Sequence, residues 1–225
     1  MLFENRSRAG CELAALLGGL EREHPIVFAL PRGGVPVAAE IARALQAPLE
    51  LLVVRKLGAP GNRELAVGAL AEDGSVLLDA RQLWRTRMTE EQLERATRRE
   101  RAEVRRQLER FREGQRPPAV SGRTVIVVDD GLATGLTELA GVRALRARGA
   151  ARVVVAVPVG SRQAVGMLEQ EADEVICHTI PRELVGVGRW YEDFREVSDE
   201  EVLSLLAAAG TRVPAASSRE YGGAA

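Results

Sequence analysis

Residues 125–137 read Val-Ile-Val-Val-Asp-Asp-Gly-Leu-Ala-Thr-Gly-Leu-Thr. Val125 to Val128 are four β-branched residues in a row, the pattern of a short buried strand. Asp129 and Asp130 follow at once, then a loop of small and hydroxyl-bearing residues, Gly131 to Thr137. Beyond it Leu139, Val142, Leu145 and Arg146 recur at helical spacing. A helix that starts there offers unpaired N–H groups and the positive end of its dipole. Gly131 and Gly135 let the backbone curl around an anion, and Thr134 and Thr137 add hydroxyl donors. The two aspartates would repel a phosphate. They suit sugar hydroxyls, or a divalent metal shared with the ligand. The stretch therefore predicts a seat for a phosphorylated sugar, against the plainer reading of an acidic pair capping a helix.

Working outward, a second turn of the same kind lies upstream. Ile26 to Leu30 predicts a strand, Pro31-Arg32-Gly33-Gly34 a turn, and Val35, Ala38, Ala39, Ala42 and Leu45 a helix. A Gly-Gly turn between strand and helix is an anion nest, and a guanidinium inside it can grip phosphate oxygens in pairs. Alone, the same residues make an equally good tight turn. Leu49 to Val54 predicts the next strand, ending in Arg55-Lys56 before a turn-rich stretch, 57–64. Adjacent cations entering a mobile loop suggest a lid over an anion rather than a solvated surface turn. Lys56 is the only lysine in a chain of otherwise arginine cations.

The 125–137 stretch resembles the phosphoribosyl-diphosphate (PRPP) binding motif of type I phosphoribosyltransferases, a hydrophobic strand, an acidic pair, a short turn and Thr-Gly-x-Thr. Asp129, Asp130, Thr134, Gly135 and Thr137 fall on its key positions. The resemblance implies that Asp129 and Asp130 bind the ribose hydroxyls. Ala133, Thr134, Gly135, Leu136 and Thr137 would cradle the 5′-phosphate. Arg32, Gly33 and Gly34 correspond to the family's pyrophosphate loop, where a non-proline cis peptide is expected near Arg32–Gly33. Lys56 best matches the cation of the family's closing loop, with Arg55 and Arg63 behind it, and Glu64 as a proton-handling carboxylate near the base. Mg²⁺ is implied as the partner of PRPP, with Asp129 and Asp130 as candidate ligands. Gly131 departs from the family, which usually has an aliphatic residue there. Ala133 matches adenine enzymes rather than hypoxanthine-guanine ones. The resemblance runs over roughly residues 26–178.

The rest of the chain fits that frame. Leu13, Leu16, Leu17 and Leu20 predict a helix over 6–20, weakened by Gly18-Gly19. Strands are predicted at 66–70 and 75–78, around a turn at Glu72-Asp73-Gly74. Residues 81–116 predict a charged helical insertion, docked by the thin stripe Val104, Leu108, Phe111. It carries a capping box at Thr89/Gln92 and ion pairs Glu91–Arg95 and Glu94–Arg98. Residues 114–122 predict a linker, 152–157 a strand stopped by Pro158, 161–171 a helix and 174–177 a strand. Alternation of strand and helix marks the fold class as α/β, a mainly parallel β-sheet flanked by helices. Residues 179–197 are expected to form a small hood with the early chain, presenting Trp190 or Tyr191 to a flat base. Ser198 and Glu201 predict a capped final helix, and 211–225 a loose tail. A single domain over 1–210 is expected.

Composition narrows the partners. The net charge of −1 argues against a global attraction to nucleic acid or anionic membrane. No apolar run reaches the roughly 20 residues of a membrane span, and the charged N-terminus does not read as a signal peptide. Cys11 and Cys177 stand in no metal spacing and fit a reducing cytoplasm. A homodimer is expected from the family alone. The expected chemistry is transfer of phosphoribosyl from PRPP to a nitrogen of a nucleobase or similar heterocycle, releasing pyrophosphate. A PRPP-sensing regulator and an unrelated sugar-phosphate-binding α/β protein are the alternatives.

Overall fold

A computed structural model describes residues 2–112 and 117–209, apart from the side chains of Arg63 and Glu64. Expectations for Arg63, for Glu64, for 113–116 and for the 211–225 tail therefore lie outside the described residues.

Five parallel strands form the central sheet. They are β1 (Ile26–Ala29), β2 (Leu49–Leu51), β6 (Thr124–Val128), β7 (Arg152–Val159) and β8 (Glu174–Thr179), in the order β2-β1-β6-β7-β8. The valine-rich runs form strands because both faces are covered. Ile26, Phe28, Val125, Val127, Val153 and Val155 face one core, shared with α5 (Leu136–Ala147) and α6 (Arg162–Leu168). Their neighbours Val27, Ala29, Ile126, Val128, Val154 and Ala156 face the other, shared with α1 (Arg6–Leu16), α2 (Gly34–Leu45) and α7 (Asp199–Ala209). Each such valine adds roughly 1.5–3 kcal/mol of burial.

The order of strands positions the site. From β1 the chain crosses through α2 to β2 on one side. From β6 it crosses through α5 to β7 on the other, with the two helices on opposite faces. β1 and β6 are neighbours, in register from Ile26↔Val125 to Ala29↔Val128. Their C-terminal ends therefore flank the switch point, where open α/β sheets leave a ligand crevice.

Several local expectations are corrected. The 49–54 strand is two strands. β2 ends at Leu51, and β3 (Val54–Ala59) belongs to a separate antiparallel sheet with β4 (Asn62–Ala71) and β5 (Val76–Leu78). The 57–64 stretch is thus mostly hairpin, turning at Pro60-Gly61, because cross-strand pairing from Val54↔Ala71 to Ala59↔Asn62 outweighs its turn-forming composition. The N-terminal helix stops at Leu16, and Leu20–Glu23 is a 3₁₀ turn. β7 runs past Pro158, which lies beyond the last paired residue of β6. Within the 179–197 segment, Val187–Trp190 forms a 3₁₀ turn.

The charged region is two helices, α3 (Ala80–Thr86) and α4 (Glu90–Arg112). Thr89 and Gln92 make the capping box, at 2.9 and 3.3 Å, and both foreseen ion pairs form. The helix is fastened at its far end: Arg112 donates to the Leu51 carbonyl at 2.7 Å and to Glu72 at 3.0 Å, a nearly buried pair. Glu72 also accepts from the Val53 amide at 2.9 Å, so one carboxylate ties α4 to the crossing between the two sheets.

Candidate active site

Both anion-nest candidates emerge at the switch point. Pro31-Arg32-Gly33 follows β1, and Asp129-Asp130 follows β6. Together they line one cavity of about 430 Å³, closed by Arg55 of β3, by Glu103, Arg106 and Gln107 of α4, and by Phe194, Glu196 and Val197. The Pro31–Arg32 peptide is cis, one bond earlier than expected. The two loops touch. A Cβ on Gly33 would lie 2.1 Å from Asp130 Oδ2, and one on Gly34 would lie 2.6 Å from the Val128 carbonyl oxygen. Glycine is required here for close approach, not for an unusual φ.

Other foreseen residues are placed differently. Ala133 and Thr134 are exposed, outside the lining of that cavity, and Gly135, at φ 76°, caps α5. The loop is stitched to the end of β7: Leu132 N–H donates to the Val159 carbonyl at 2.8 Å, and Ser161 Oγ donates to the Ala133 carbonyl at 2.9 Å. Arg55 and Lys56 part company, as neighbours on a strand must. Arg55 lines the cavity and pairs with Glu100 at 3.1 Å. Lys56 opposes Ala69, a residue of the core shared with α5. Tyr191 is buried between Phe3 and Phe194, its hydroxyl donating to the Asp130 carbonyl at 2.6 Å, while Trp190 is half-buried.

Two distant segments, the early chain and the stretch around Trp190, pair beside the cavity. Phe3 N–H donates to the Trp190 carbonyl, and Glu192 N–H to the Phe3 carbonyl, each at 2.8 Å. Val187 presses its Cγ1 to 2.6 Å from where a Gly131 Cβ would stand. Gly131 therefore leaves the space that Val187 fills.

Two groups packed against the acidic pair left little local trace. Arg6 donates from Nε to Asp130 Oδ2 at 2.8 Å and from Nη1 to the Arg195 carbonyl at 2.9 Å, with its guanidinium 3.8 Å from the centre of the Phe194 ring. Its partner is 124 residues away, so no spacing could reveal it. Glu138 is 4% exposed and hydrogen-bonded to Asp129. A signal existed here: Glu138 falls on the stripe of Val142 and Leu145.

The buried carboxyls are hard to ionise together. Burial pushes Asp129 well above its ordinary value, and the Asp130 and Glu138 charges add to the shift. Burial raises Glu138 above its ordinary 4.5, and raises Asp130 against the opposing pull of Arg6. A folded-state value above the unfolded one means that the folded chain holds more protons, so stability falls as pH rises above the ordinary carboxylate range. Glu138→Gln supplies an N–H donor in place of that proton. It is expected to add about 1–2 kcal/mol at pH 8 and to flatten the pH slope between 5 and 8. Denaturant melts at both pH values check this; an unchanged slope would refute it.

A family model described as Phosphoribosyl transferase domain matches residues 12–193. Two Mycobacterium tuberculosis proteins named, provisionally, as phosphoribosyl transferases are 43% identical over 205 residues, 91% of this chain and 46% of theirs. The chain thus spans about half the length of these curated relatives. The crystal structure of TT1426 from Thermus thermophilus is 44% identical, with a TM-score of 0.77, covering 92% of this chain and 99% of that one. A hypothetical protein from Neisseria gonorrhoeae, solved with bound ppGpp, shares the fold at 14% identity and a TM-score of 0.50, over 92% of this chain and 98% of its own.

Proposed function

The chain belongs to the phosphoribosyl transferase family, and from that premise we propose that it transfers 5-phosphoribosyl from PRPP to a nitrogen of a nucleobase or similar heterocycle. One observation carries the reading: an acidic pair and an Arg-Gly-Gly turn meet across one cavity at the sheet's switch point. Asp129 and Asp130 take the ribose hydroxyls. The loop 133–137, with the first amides of α5, takes the 5′-phosphate. Arg32, Gly33, Gly34 and Arg55 take the diphosphate. In the reaction the C1′–O bond breaks, the C1′–N bond forms and positive charge develops on the ribose ring. The guanidiniums stabilise the departing diphosphate, and the hood keeps water from C1′.

Mg²⁺ is compatible with the acidic pair at the cavity wall, since such ions are bound by one or two carboxylates and otherwise by substrate phosphates. Asp129 and Asp130 would hold it, and its chemistry is neutralisation of the diphosphate charge. The homodimer and a cytoplasmic setting belong to the same reading; Cys11 and Cys177 are both free thiols. No helix among the described residues is long and apolar enough to cross a membrane. The regulator alternative called for a basic face on the arginine-rich helix. In α4, Arg95, Arg98 and Arg106 are each paired with a glutamate of the same helix, while Arg101 and Arg105 are exposed.

Calorimetric titration of PRPP with Mg²⁺, followed by a nucleobase screen for released pyrophosphate, tests the proposal. No PRPP binding would overturn it. Arg55→Ala, at a residue that lines the cavity, is expected to slow single turnover about tenfold, while Lys56→Ala, on the opposite side of the same strand, is expected to leave it within about twofold of wild type. A tenfold loss in Lys56→Ala would return Lys56 to the machinery.

A further inference from the structure

Asp199, the first residue of α7, places its carboxylate between two guanidiniums. Its Oδ1 is 3.2 Å from Arg32 Nη1 and its Oδ2 is 3.6 Å from Arg106 Nη1. Glu196 takes the other arm of Arg32. Arg106 comes from α4, outside every motif of the sequence, and is braced by Glu103, which accepts from its Nε at 2.9 Å and its Nη2 at 2.7 Å. A carboxylate seated between two guanidinium forks marks a place built for an anion with several oxygens. Beside Arg106, Gln107 is 5% exposed, and its Oε1 is buried with no hydrogen-bond partner. Gln107 lines the same cavity, and its Nε2 donates to Glu103 Oε1 at 3.2 Å, so it helps to hold the carboxylate that braces Arg106.

We propose that Arg106 joins Arg32 in a two-guanidinium clamp for the diphosphate of the phosphoribosyl donor, and that Asp199 occupies the clamp until the diphosphate displaces it. The proposal rests on the phosphoribosyl transfer reading given above. It adds a binding residue from α4 and an internal competitor from α7. A tethered carboxylate of one charge is a weaker ligand for two guanidiniums than a diphosphate of several, so displacement is downhill once the ligand arrives. In the free chain the same carboxylate joins Glu196 and Glu103 in balancing the two guanidiniums across the crevice.

The test is calorimetry at constant ionic strength with three probes: pyrophosphate with Mg²⁺, PRPP with Mg²⁺, and ribose 5-phosphate. Arg106→Gln is expected to weaken pyrophosphate and PRPP about tenfold and to leave ribose 5-phosphate within about twofold. Arg106→Lys, which keeps the charge but not the fork, is expected to fall between. Asp199→Asn is expected to tighten pyrophosphate about threefold or more, because the competitor is gone. Arg106 is half-exposed, so these variants are expected to fold, and a thermal melt verifies it. If wild type binds PRPP and Arg106→Gln binds pyrophosphate equally well, the clamp is overturned and the transferase reading stands. Equal losses for all three probes would also overturn it, as would unchanged affinity in Asp199→Asn. Absence of PRPP binding in wild type would overturn both.

Discussion

Asp130→Asn is expected to weaken PRPP binding about a hundredfold and to destabilise the chain at the same time. The affinity loss follows from the chemistry of a carboxylate that accepts ribose hydroxyls, where charge-assisted hydrogen bonds are worth about 1.5–3 kcal/mol each. The stability loss follows from Arg6, whose side chain is 10% exposed and directly paired with Asp130. Removing one member of a buried pair strands the other, at a cost of about 3–5 kcal/mol. The lower end is expected here, because Arg6 keeps the Arg195 carbonyl and the face of Phe194. A double variant separates the two effects. Arg6→Leu with Asp130→Asn should recover much of the melting temperature and none of the PRPP affinity. Wild-type affinity in Asp130→Asn would refute the ribose assignment. Equal melting temperatures for single and double variants would show that Arg6 does not depend on Asp130.

This coupling also shows where the sequence was legible. β6, its acidic pair and α5 could be read because each signal is local: a β-branched run, two charges, a helical stripe. The β1–Arg-Gly-Gly–α2 turn was legible for the same reason. Arg55-Lys56 was read as the mouth of a loop because Gly, Pro and Asn follow it. The pairing with 62–71 that makes it a strand depends on residues further along the chain. The strap from Glu192 to Asp199 closes the cavity through Arg6, Arg32 and Arg106, and the Arg32–Glu196 pair alone spans 164 residues. Such contacts leave no periodicity. Gln107 and Glu100 did leave one: with Val104 and Phe111 they share the inner stripe of α4. A polar residue on an apolar stripe was the available sign that this helix faces a site and not only a core.

Gly34→Ala is the sharpest test of how the two loops are built against each other. An added Cβ would stand 2.6 Å from the Val128 carbonyl oxygen, 2.9 Å from Asp129 Cα and 3.1 Å from Asp129 Oδ1. The first two are backbone atoms at the end of a buried central strand, so no rotamer change relieves them. The loop after β1 must move away from the loop after β6, by some tenths of an ångström at least. Overpacking of this kind costs about 1–3 kcal/mol. The displacement falls on both halves of the proposed PRPP seat, so affinity is expected to drop more than tenfold. Gly166→Ala supplies the contrast. Gly166 lies inside α6 with no heavy atom within 4 Å of a built Cβ. There the same substitution is expected to stabilise by up to about 1 kcal/mol, through helix propensity alone, and to leave PRPP binding unchanged. Thermal melts on the two variants should therefore move in opposite directions, and the PRPP titration should change for Gly34→Ala alone. If Gly34→Ala matched wild type in both, the loops would not be in contact, and the acidic pair and the Arg-Gly-Gly turn could not form one site.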